Sequence, residues 1–330
     1  MCGAEHYRRM EQCPRDAEDW AILCTPIMTS RERYEDAGRL LFDADYILIA
    51  AGAGLSAAAG LDYTDQDIFR EMFPAMWNVG FRCMYHFIGY HSPLCPDKIT
   101  PWSPELKWGY LADQTFHARF NWPQHEVYNS IRQLLKSKDE DKTFVVSTNA
   151  DGMFVQNGFN PTRVYNPQGD YSHMQCLTPC RQDAYWPSYE VISKQILPTV
   201  DKSTQKCSSD AVPHCPHCGG PVFFNVRGGD WFIEDVSDRR SAYISWLRQT
   251  VGKKLVILEV GVGFNTPSVL RWPMESIVEH NAEAGLIRVN REHPEVPADL
   301  KDRCMEISAD AQEAVLEIVN QYFLRLQGGV

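Results

Sequence analysis

Asp45-Tyr-Ile-Leu-Ile-Ala-Ala51, followed at once by Gly52-Ala53-Gly54-Leu55-Ser56-Ala57-Ala58-Ala59-Gly60, is the stretch on which the reading of this chain turns. An unbroken apolar run of this length, bounded by glycine, predicts a strand buried on both faces. The glycine turn and alanine-rich segment after it predict a helix packed close to that strand. Strand, glycine turn and helix together form the geometry that sets backbone N–H groups against a pyrophosphate. Gly52 and Gly54 would let the backbone approach such a ligand. A Gly-x-Gly turn alone also describes any tight strand-to-helix turn, so its meaning depends on its company.

That company is dense between Lys142 and Cys180. Phe144-Val145-Val146 reads as a second buried strand and breaks into Ser147-Thr148-Asn149-Ala150-Asp151-Gly152. Arg163-Val164-Tyr165 reads as a third, ending in Asn166-Pro167-Gln168-Gly169-Asp170. Further along, Phe223-Phe-Asn-Val226 reads as a strand leading to Arg227-Gly-Gly-Asp230, Lys254-Leu-Val-Ile-Leu-Glu-Val260 runs into Gly261-Val262-Gly263-Phe264-Asn265-Thr266-Pro267, and Leu286-Ile-Arg-Val289 into Asn290-Arg291. Helical spacing covers 31–42, His125–Lys136, Ser241–Val251 and Ala309–Leu326. Strands alternating with helices, each ending in glycine or polar groups, predict a Rossmann-like doubly wound parallel sheet. Ligands of such sheets sit at the carboxyl ends of the strands.

The chain has 330 residues, enough for one large core and a smaller module. Its composition, 44% hydrophobic and 23% charged, is that of a globular protein. No apolar run reaches the ~20 residues of a membrane span. A net charge of −11 argues against nucleic acid, which needs a basic footprint. Met1-Cys-Gly-Ala-Glu-His-Tyr-Arg-Arg9 has no apolar signal core, and eleven cysteines do not make a disulfide framework. The expected setting is intracellular and reducing, cytoplasmic or else mitochondrial.

Two cysteine pairs have metal spacing. Cys176-x₃-Cys180 is answered by Cys215-Pro-His-Cys218 and the turn Gly219-Gly220-Pro221. Four thiolates in two close pairs suit a tetrahedral structural zinc. The first spacing is one residue longer than the common one, so Cys207, His214 and His217 stand as substitute ligands. Between Asp62 and Asn129 the chain is rich in aromatics and broken by Pro74, Pro93, Pro96, Pro101 and Pro104. This predicts a helical insertion, its aromatic stripe mainly core. The expected organisation is an N-terminal extension (1–35), a discontinuous Rossmann-like domain (36–66, 128–170 and 228–330), a helical subdomain or cofactor lid (67–127) and a zinc-binding module (171–227).

Taken in order, these motifs resemble those of sirtuins. Gly52-Ala-Gly-Leu-Ser-Ala-Ala-Ala-Gly60 resembles the GAG(I)SxxSG motif, Ser147-Thr-Asn-Ala-Asp151 the TQNID motif, the cysteine pairs the zinc module, and Gly261-Val-Gly263 the GTS turn. The similarity covers roughly residues 38–325. It implies NAD as co-substrate, a structural zinc, and cofactor contacts at Gly52, Ala53, Gly54, Ser56, Ala57, Asp62, Asn149, Asp151, Gln168, Gly261, Val262, Gly263, Asn290 and Arg291. Asn149 would orient the nicotinamide ribose and Asp151 would hold the carboxamide. The departures are equally informative. The histidine of the deacylases' HG pair is replaced by Gln168, and Leu61-Asp62-Tyr63-Thr64-Asp65 lacks the arginine of their IPDFR segment. Gln168 in place of that histidine, and the Gly261-Val-Gly-Phe-Asn-Thr-Pro267 turn, are similar to the macrodomain-linked, class M (SirTM-like) sirtuins.

That resemblance implies protein mono-ADP-ribosyltransferase activity, with a lipoyl-carrier protein like glycine-cleavage protein H as acceptor and a macrodomain ADP-ribosyl hydrolase as partner. Deacylation needs a base on a ribose hydroxyl, a task suited to imidazole, whereas an amide has no comparable titration. Asn149, Gln168 and Asp151 are the catalytic candidates. The competing functions are a non-catalytic NAD sensor or scaffold and an NAD-dependent protein-lysine deacylase.

Overall fold

The structure, a computed structural model, describes residues 29–87, 103–234 and 238–328. The earlier part of the N-terminal extension, and Pro93, Pro96, Pro101, Tyr90 and Trp102 of the aromatic stretch, lie outside the described residues.

Strand β1 (Tyr46–Ala51) is buried at every position and pairs in parallel with β2 (Thr143–Ser147) on one side and β7 (Leu255–Val260) on the other. With β3 (Val164–Tyr165), β8 (Gly285–Val289) and β9 (Cys304–Ile307) they form a six-stranded sheet of order β3-β2-β1-β7-β8-β9. All its pairings are parallel. Helices cover both faces, which is why these strands read as continuous apolar runs. Ile47, Ile49, Leu258 and Val260 face a core completed by helices α1 (Ser30–Asp43), α4 (Glu126–Lys136) and α7 (Ala311–Leu326). Tyr46, Leu48, Leu255 and Ile257 face the opposite core, completed by α5 (Arg239–Gln249) and α6 (Arg271–His280). Thr29 and Glu32 form a capping box that starts α1, and Asp310 caps α7 through the N–H groups of Gln312 and Glu313. Each such cap contributes ~1 kcal/mol.

Strand order reverses between β1 and β7. Their carboxyl ends therefore open a crevice at the topological switch point, where ligands of such sheets bind.

Glu259 sits inside β7 at 0% exposure, within a stretch that reads as apolar. Arg288 of β8 donates to both of its oxygens, at 2.6 and 3.0 Å, and also reaches Glu275 at 2.8 Å. Burial pushes the Glu259 carboxyl up, and the Arg288 guanidinium opposes that shift. Removing either partner would leave a buried charge, at a cost of ~3–5 kcal/mol.

A separate core holds the inserted helices and the cysteine-rich segment together. Helix α3 (Pro104–Thr115) buries Trp108 and Tyr110 with Phe69 and Phe73 from the insertion. Strands β4 (Gly169–Cys176), β5 (Tyr185–Pro187) and β6 (Val222–Val226) form an antiparallel sheet of order β5-β4-β6 and add Met174, Phe223 and Phe224. The aromatic stripe is thus largely interior, and each fully buried Phe contributes ~1.5–3 kcal/mol. At Gly109 a Cβ would stand 2.3 Å from the Gln205 carbonyl, so α3 packs directly on the backbone of the 201–207 loop.

Some elements differ from the sequence reading. Helix α5 starts two residues before the expected Ser241, and α7 starts at Ala311, where Asp310 caps it. Strands β4, β5 and β9 have no counterpart in that reading. In particular β4 begins at Gly169, inside the segment read as a polar strand end. Among the described residues, no helix is long and apolar enough to cross a membrane.

Candidate functional site

The turns that leave β1 and β7 touch backbone to backbone. Gly52 N–H donates to the Val260 carbonyl and Gly54 N–H to the Gly261 carbonyl, both at 3.0 Å. A Cβ on Gly52 would lie 2.5 Å from Gly261 O and 2.8 Å from Val262 Cα, and one on Gly54 would lie 2.7 Å from Gly261 Cα. Gly261 itself has φ +64°, a conformation open to glycine. Turn-on-turn contact thus gives Gly52 and Gly54 a packing reason of their own, before any ligand is considered. The Gly54 and Leu55 N–H groups are likewise committed, the latter to the Gly52 carbonyl at 3.1 Å. Helix α2 (Ala53–Ala58) follows directly.

Around these turns lies a cavity of about 630 Å³. It is lined by Gly52, Ala53, Gly54, Ala57, Asp62, Asn149, Gln168, Gly261, Val262, Gly263, Asn290 and Arg291, all singled out from sequence. A second cavity of about 240 Å³ continues inward and takes in Ser56 and Asp151. Ala53, Tyr85, Thr148, Asn149, Gln168 and Arg227 line both cavities and so form the junction between them.

At that junction Asn149 donates through Nδ2 to the Gly52 carbonyl (2.8 Å) and to Ser56 Oγ (2.9 Å). Ser56 Oγ in turn donates to Asp151 Oδ2 at 2.5 Å, while Met153 N–H reaches Asp151 Oδ1 at 3.0 Å. The ends of β1 and β2 are thereby tied through three buried side chains. Burial pushes the Asp151 carboxyl up; the Ser56 and Met153 bonds and the Arg119 charge oppose the shift, while Asp170 adds to it.

Gln168 stands between the two sheets. Its carbonyl accepts Arg227 N–H at 2.8 Å, and its side chain makes no hydrogen bond among the described residues. The following Gly169 has φ +77°, and a Cβ there would fall 2.0 Å from the Asn225 carbonyl. The glycine of the Gln168-Gly169 pair is therefore fixed by packing. Arg227 leaves β6, donates to the Pro167 carbonyl at 3.2 Å, pairs with Glu234 and stacks over Phe232 at 4.3 Å. At the far end Asn290 donates to the Val262 carbonyl at 2.9 Å and accepts the N–H groups of Glu292 and His293 at 3.0 Å. Its amide binds the Gly261–Gly263 turn to the next loop. Asp62 Oδ1 similarly accepts the Thr64 N–H and hydroxyl, at 2.8 and 2.7 Å.

Several lining residues were missed from sequence. Asn265 and Thr266 belong to a turn already quoted, and Arg227 follows a strand already recognised; their placement after strand ends was the available signal. Tyr85 belongs to the aromatic stretch that reads as mainly core, yet it is 40% exposed and accepts Asn265 Nδ2–H at 2.9 Å across the cleft. Tyr63, Gln114 and Tyr171 line the inner cavity with no local sequence signal.

Cys176, Cys180, Cys215 and Cys218 form a compact cluster, their Sγ atoms all within 4.8 Å of one another. The Cys176–Cys218 and Cys180–Cys215 sulfurs are each 3.8 Å apart. Four sulfurs ~2.3 Å from a tetrahedral zinc would stand ~3.8 Å from one another, so this is a zinc-type site. Cys215 N–H donates to Gly220 O and Gly219 N–H to Cys215 O, both at 2.8 Å, with Gly219 at φ +71°. Cys207, His214 and His217 are outside the cluster. Cys207 is buried against α3, and His214 pairs through its backbone with Pro221.

Fold and site together define a doubly wound α/β protein with a switch-point cleft and a tetrathiolate module. That is the sirtuin (Sir2) fold. A Sir2 homologue–NAD complex superposes with TM-score 0.56 at 18% identity, over 88% of this chain and 94% of that one. A Sir2 protein bound to a propionylated peptide does so with TM-score 0.51 at 16% identity, over 88% and 97%. In sequence, the chain is 37% identical over 255 residues to a probable bifunctional ADP-ribose hydrolase/ADP-ribosyltransferase of Fusarium oxysporum f. sp. cubense, covering 76% of this chain but 41% of that protein. It is 25% identical over 289 residues to a protein ADP-ribosyltransferase of Staphylococcus aureus, covering 86% of each. The chain thus spans about two fifths of the length of the fungal relative and most of the bacterial one. No protein-family model matches the chain.

Proposed function

We propose that the cleft binds NAD and that the chain is an NAD-consuming, sirtuin-type enzyme acting on a protein. Within that class we favour mono-ADP-ribosyl transfer to a protein side chain, as in the macrodomain-linked sirtuins. The observation that carries the finer reading is Gln168. It occupies the junction of the two cavities with an unengaged side chain, at the position where deacylases hold a histidine. Both sequence relatives bear transferase names, which supports the same reading.

NAD bound across the switch point would supply an ADP-ribosyl group, its bond to nicotinamide breaking with the electron pair leaving on the ring nitrogen. Gly261–Gly263 and the Asn290 loop would hold the adenosine side, and the turn at Ala53–Ser56 the pyrophosphate. Asn149, already fixed by Gly52 and Ser56, would orient the nicotinamide ribose. Asp151 would present its carboxyl to the carboxamide from a buried network that costs no reorganisation at the moment of reaction. Gln168 would hold ribose hydroxyls by donating and accepting hydrogen bonds, while the nucleophile comes from the acceptor. The cysteine cluster would hold one structural zinc, away from the chemistry. A lipoyl-carrier acceptor and an ADP-ribosyl hydrolase partner complete the proposal; the latter pairing is echoed in the fungal relative's name.

Deacylation is the second reading, favoured by the fold shared with a Sir2 protein bound to a propionylated peptide. Incubation with labelled NAD, a lipoyl-carrier protein and an acylated peptide separates the readings. Label on the carrier supports transfer, and free O-acyl-ADP-ribose supports deacylation. NAD binding without turnover on any acceptor would leave a sensor.

A further inference from the structure

The two loops that wall the adenosine end of the cleft are joined by a residue that the proposed chemistry does not use. Arg271 opens α6 and is 2% exposed. Its Nη1 donates to the Val262 carbonyl at 3.2 Å and to the His293 carbonyl at 3.0 Å, and its Nη2 to the Glu295 carbonyl at 2.8 Å. Val262 and His293 line the outer cavity from different loops, one after β7 and one after β8, whereas Arg271 does not line it. The Val262 carbonyl also accepts Asn290 Nδ2–H at 2.9 Å, so both of its lone pairs are filled. Phe264, from the same turn as Val262, stacks over the guanidinium with 4.3 Å to its ring centroid.

This placement runs against two general preferences. A cation in the first turn of a helix opposes the helix dipole, and an arginine is seldom fully buried. A positive charge beside a glycine turn could serve to attract a phosphate, but here the charge is balanced. Arg271 and Arg288 share the region with Glu259 and Glu275, two charges against two. Glu275 Oε1 stands 3.8 Å from Arg271 Nε and 2.8 Å from Arg288 Nη1. Arg288 Nη1 also donates to the Glu295 carbonyl, at 2.7 Å. What remains is geometry: a planar fork that reaches three carbonyls on two loops, which the point charge of a lysine does not copy.

We infer that Arg271 is a positioning residue that sets the width of the adenosine end, by holding the 261–263 turn against the 290–295 loop. The inference deepens the proposed function and rests on it for the identity of the ligand. Arg271 acts on one half of the dinucleotide only. The nicotinamide end is held by a separate network, in which Asn149, Ser56 and Asp151 tie the ends of β1 and β2.

Calorimetric titration of the full chain with NAD and with its two halves, AMP and nicotinamide mononucleotide, tests it. Arg271→Lys keeps the charge and removes the fork. The expected result is about tenfold weaker binding of NAD and AMP, with nicotinamide mononucleotide within about twofold of wild type. Unchanged AMP affinity in that variant overturns the inference, and so does equal weakening of both halves, which marks a general loss of structure. Should Arg271→Lys fail to fold, Phe264→Leu decides, since Phe264 is half-exposed and the change removes the ring over the guanidinium. About threefold weaker AMP binding there, with the other half unaffected, supports the inference, and wild-type AMP affinity overturns it. A wild type that binds neither NAD nor AMP would instead refute the NAD reading itself, and the inference with it.

Discussion

Gly52→Ala should destabilise the fold before any ligand is added. Gly52 has φ −112°, a value any residue adopts, so alanine carries no backbone penalty there. Its Cβ would nevertheless meet Gly261 O at 2.5 Å and Val262 Cα at 2.8 Å. Carbon contacts settle near ~3.5–4.0 Å, so the two turns must part by roughly 1 Å. They cannot do so freely, because β1 and β7 are paired from Tyr46–Leu255 to Ala51–Val260. Overpacking of this kind costs ~1–3 kcal/mol. In a chain of domain size that lowers the melting temperature by about 2–4 °C per kcal/mol. Gly263→Ala is the control: it lines the same cavity, but its Cβ would have nothing within 4 Å. Its stability should stay within ~0.5 kcal/mol of wild type. Thermal and urea denaturation of the ligand-free variants, then calorimetric titration with NAD, separate the effects. Gly52→Ala should lose stability and affinity together; Gly263→Val should lose affinity alone. A wild-type melting temperature in Gly52→Ala would refute the turn-on-turn contact as the reason for glycine.

Gln168→Ala should lose most ADP-ribose incorporation while still binding NAD, and wild-type incorporation should be nearly flat between pH ~6 and 8, since an amide does not titrate there; full activity in the alanine variant, measured with labelled NAD, would make Gln168 a bystander. Asp151→Asn should abolish turnover yet stabilise the fold near neutral pH. Because burial raises the Asp151 pKa, the folded state loses stability as pH climbs from the unfolded value of ~3.9 through the folded one. The variant's advantage in melting temperature should therefore vanish below about pH 4, and its persistence there would count against burial as the cause. Elemental analysis should find about one zinc per chain, and Cys180→Ser should lose it, whereas Cys207→Ser should retain it.

What the sequence disclosed followed from periodicity and punctuation. Buried parallel strands read as apolar runs, and each ended at the polar or glycine cluster that now lines a cavity. The residues that escaped are those positioned by long-range packing. Tyr85 and Gln114 come from the insertion and reach the cleft because the insertion shares a core with β4 and β6, a pairing no local pattern encodes. Glu259 escaped because its partner is on the neighbouring strand. Strand β4 escaped because His173 and Gln175 interrupt its apolar pattern; Gln175 can be buried because Asn225 Nδ2 and Ile233 N–H donate to its Oε1, at 2.7 and 3.0 Å, while its Nε2 donates to the Trp231 carbonyl at 2.7 Å.

The position of Gln168 depends on that unforeseen strand. Asn149 and Asp151 are held by the main sheet, but Gln168 is held by the second one. Its carbonyl is bound by Arg227 at the end of β6, and Gly169 begins β4 in a conformation and a space that admit glycine. At the other end of β4, Cys176 pairs with Val222 and joins the thiolate cluster. One strand of eight residues, roughly 25 Å long, therefore runs from the cleft to the metal ligands. A metal at the cluster would be too far away to act on the reacting bond. It would still fix one end of the strand whose other end aims Gln168 and Arg227, so its influence on the site must be mechanical. The two halves of the junction then answer to different cores, and how the two sheets sit against each other sets the distance between Asn149 and Gln168.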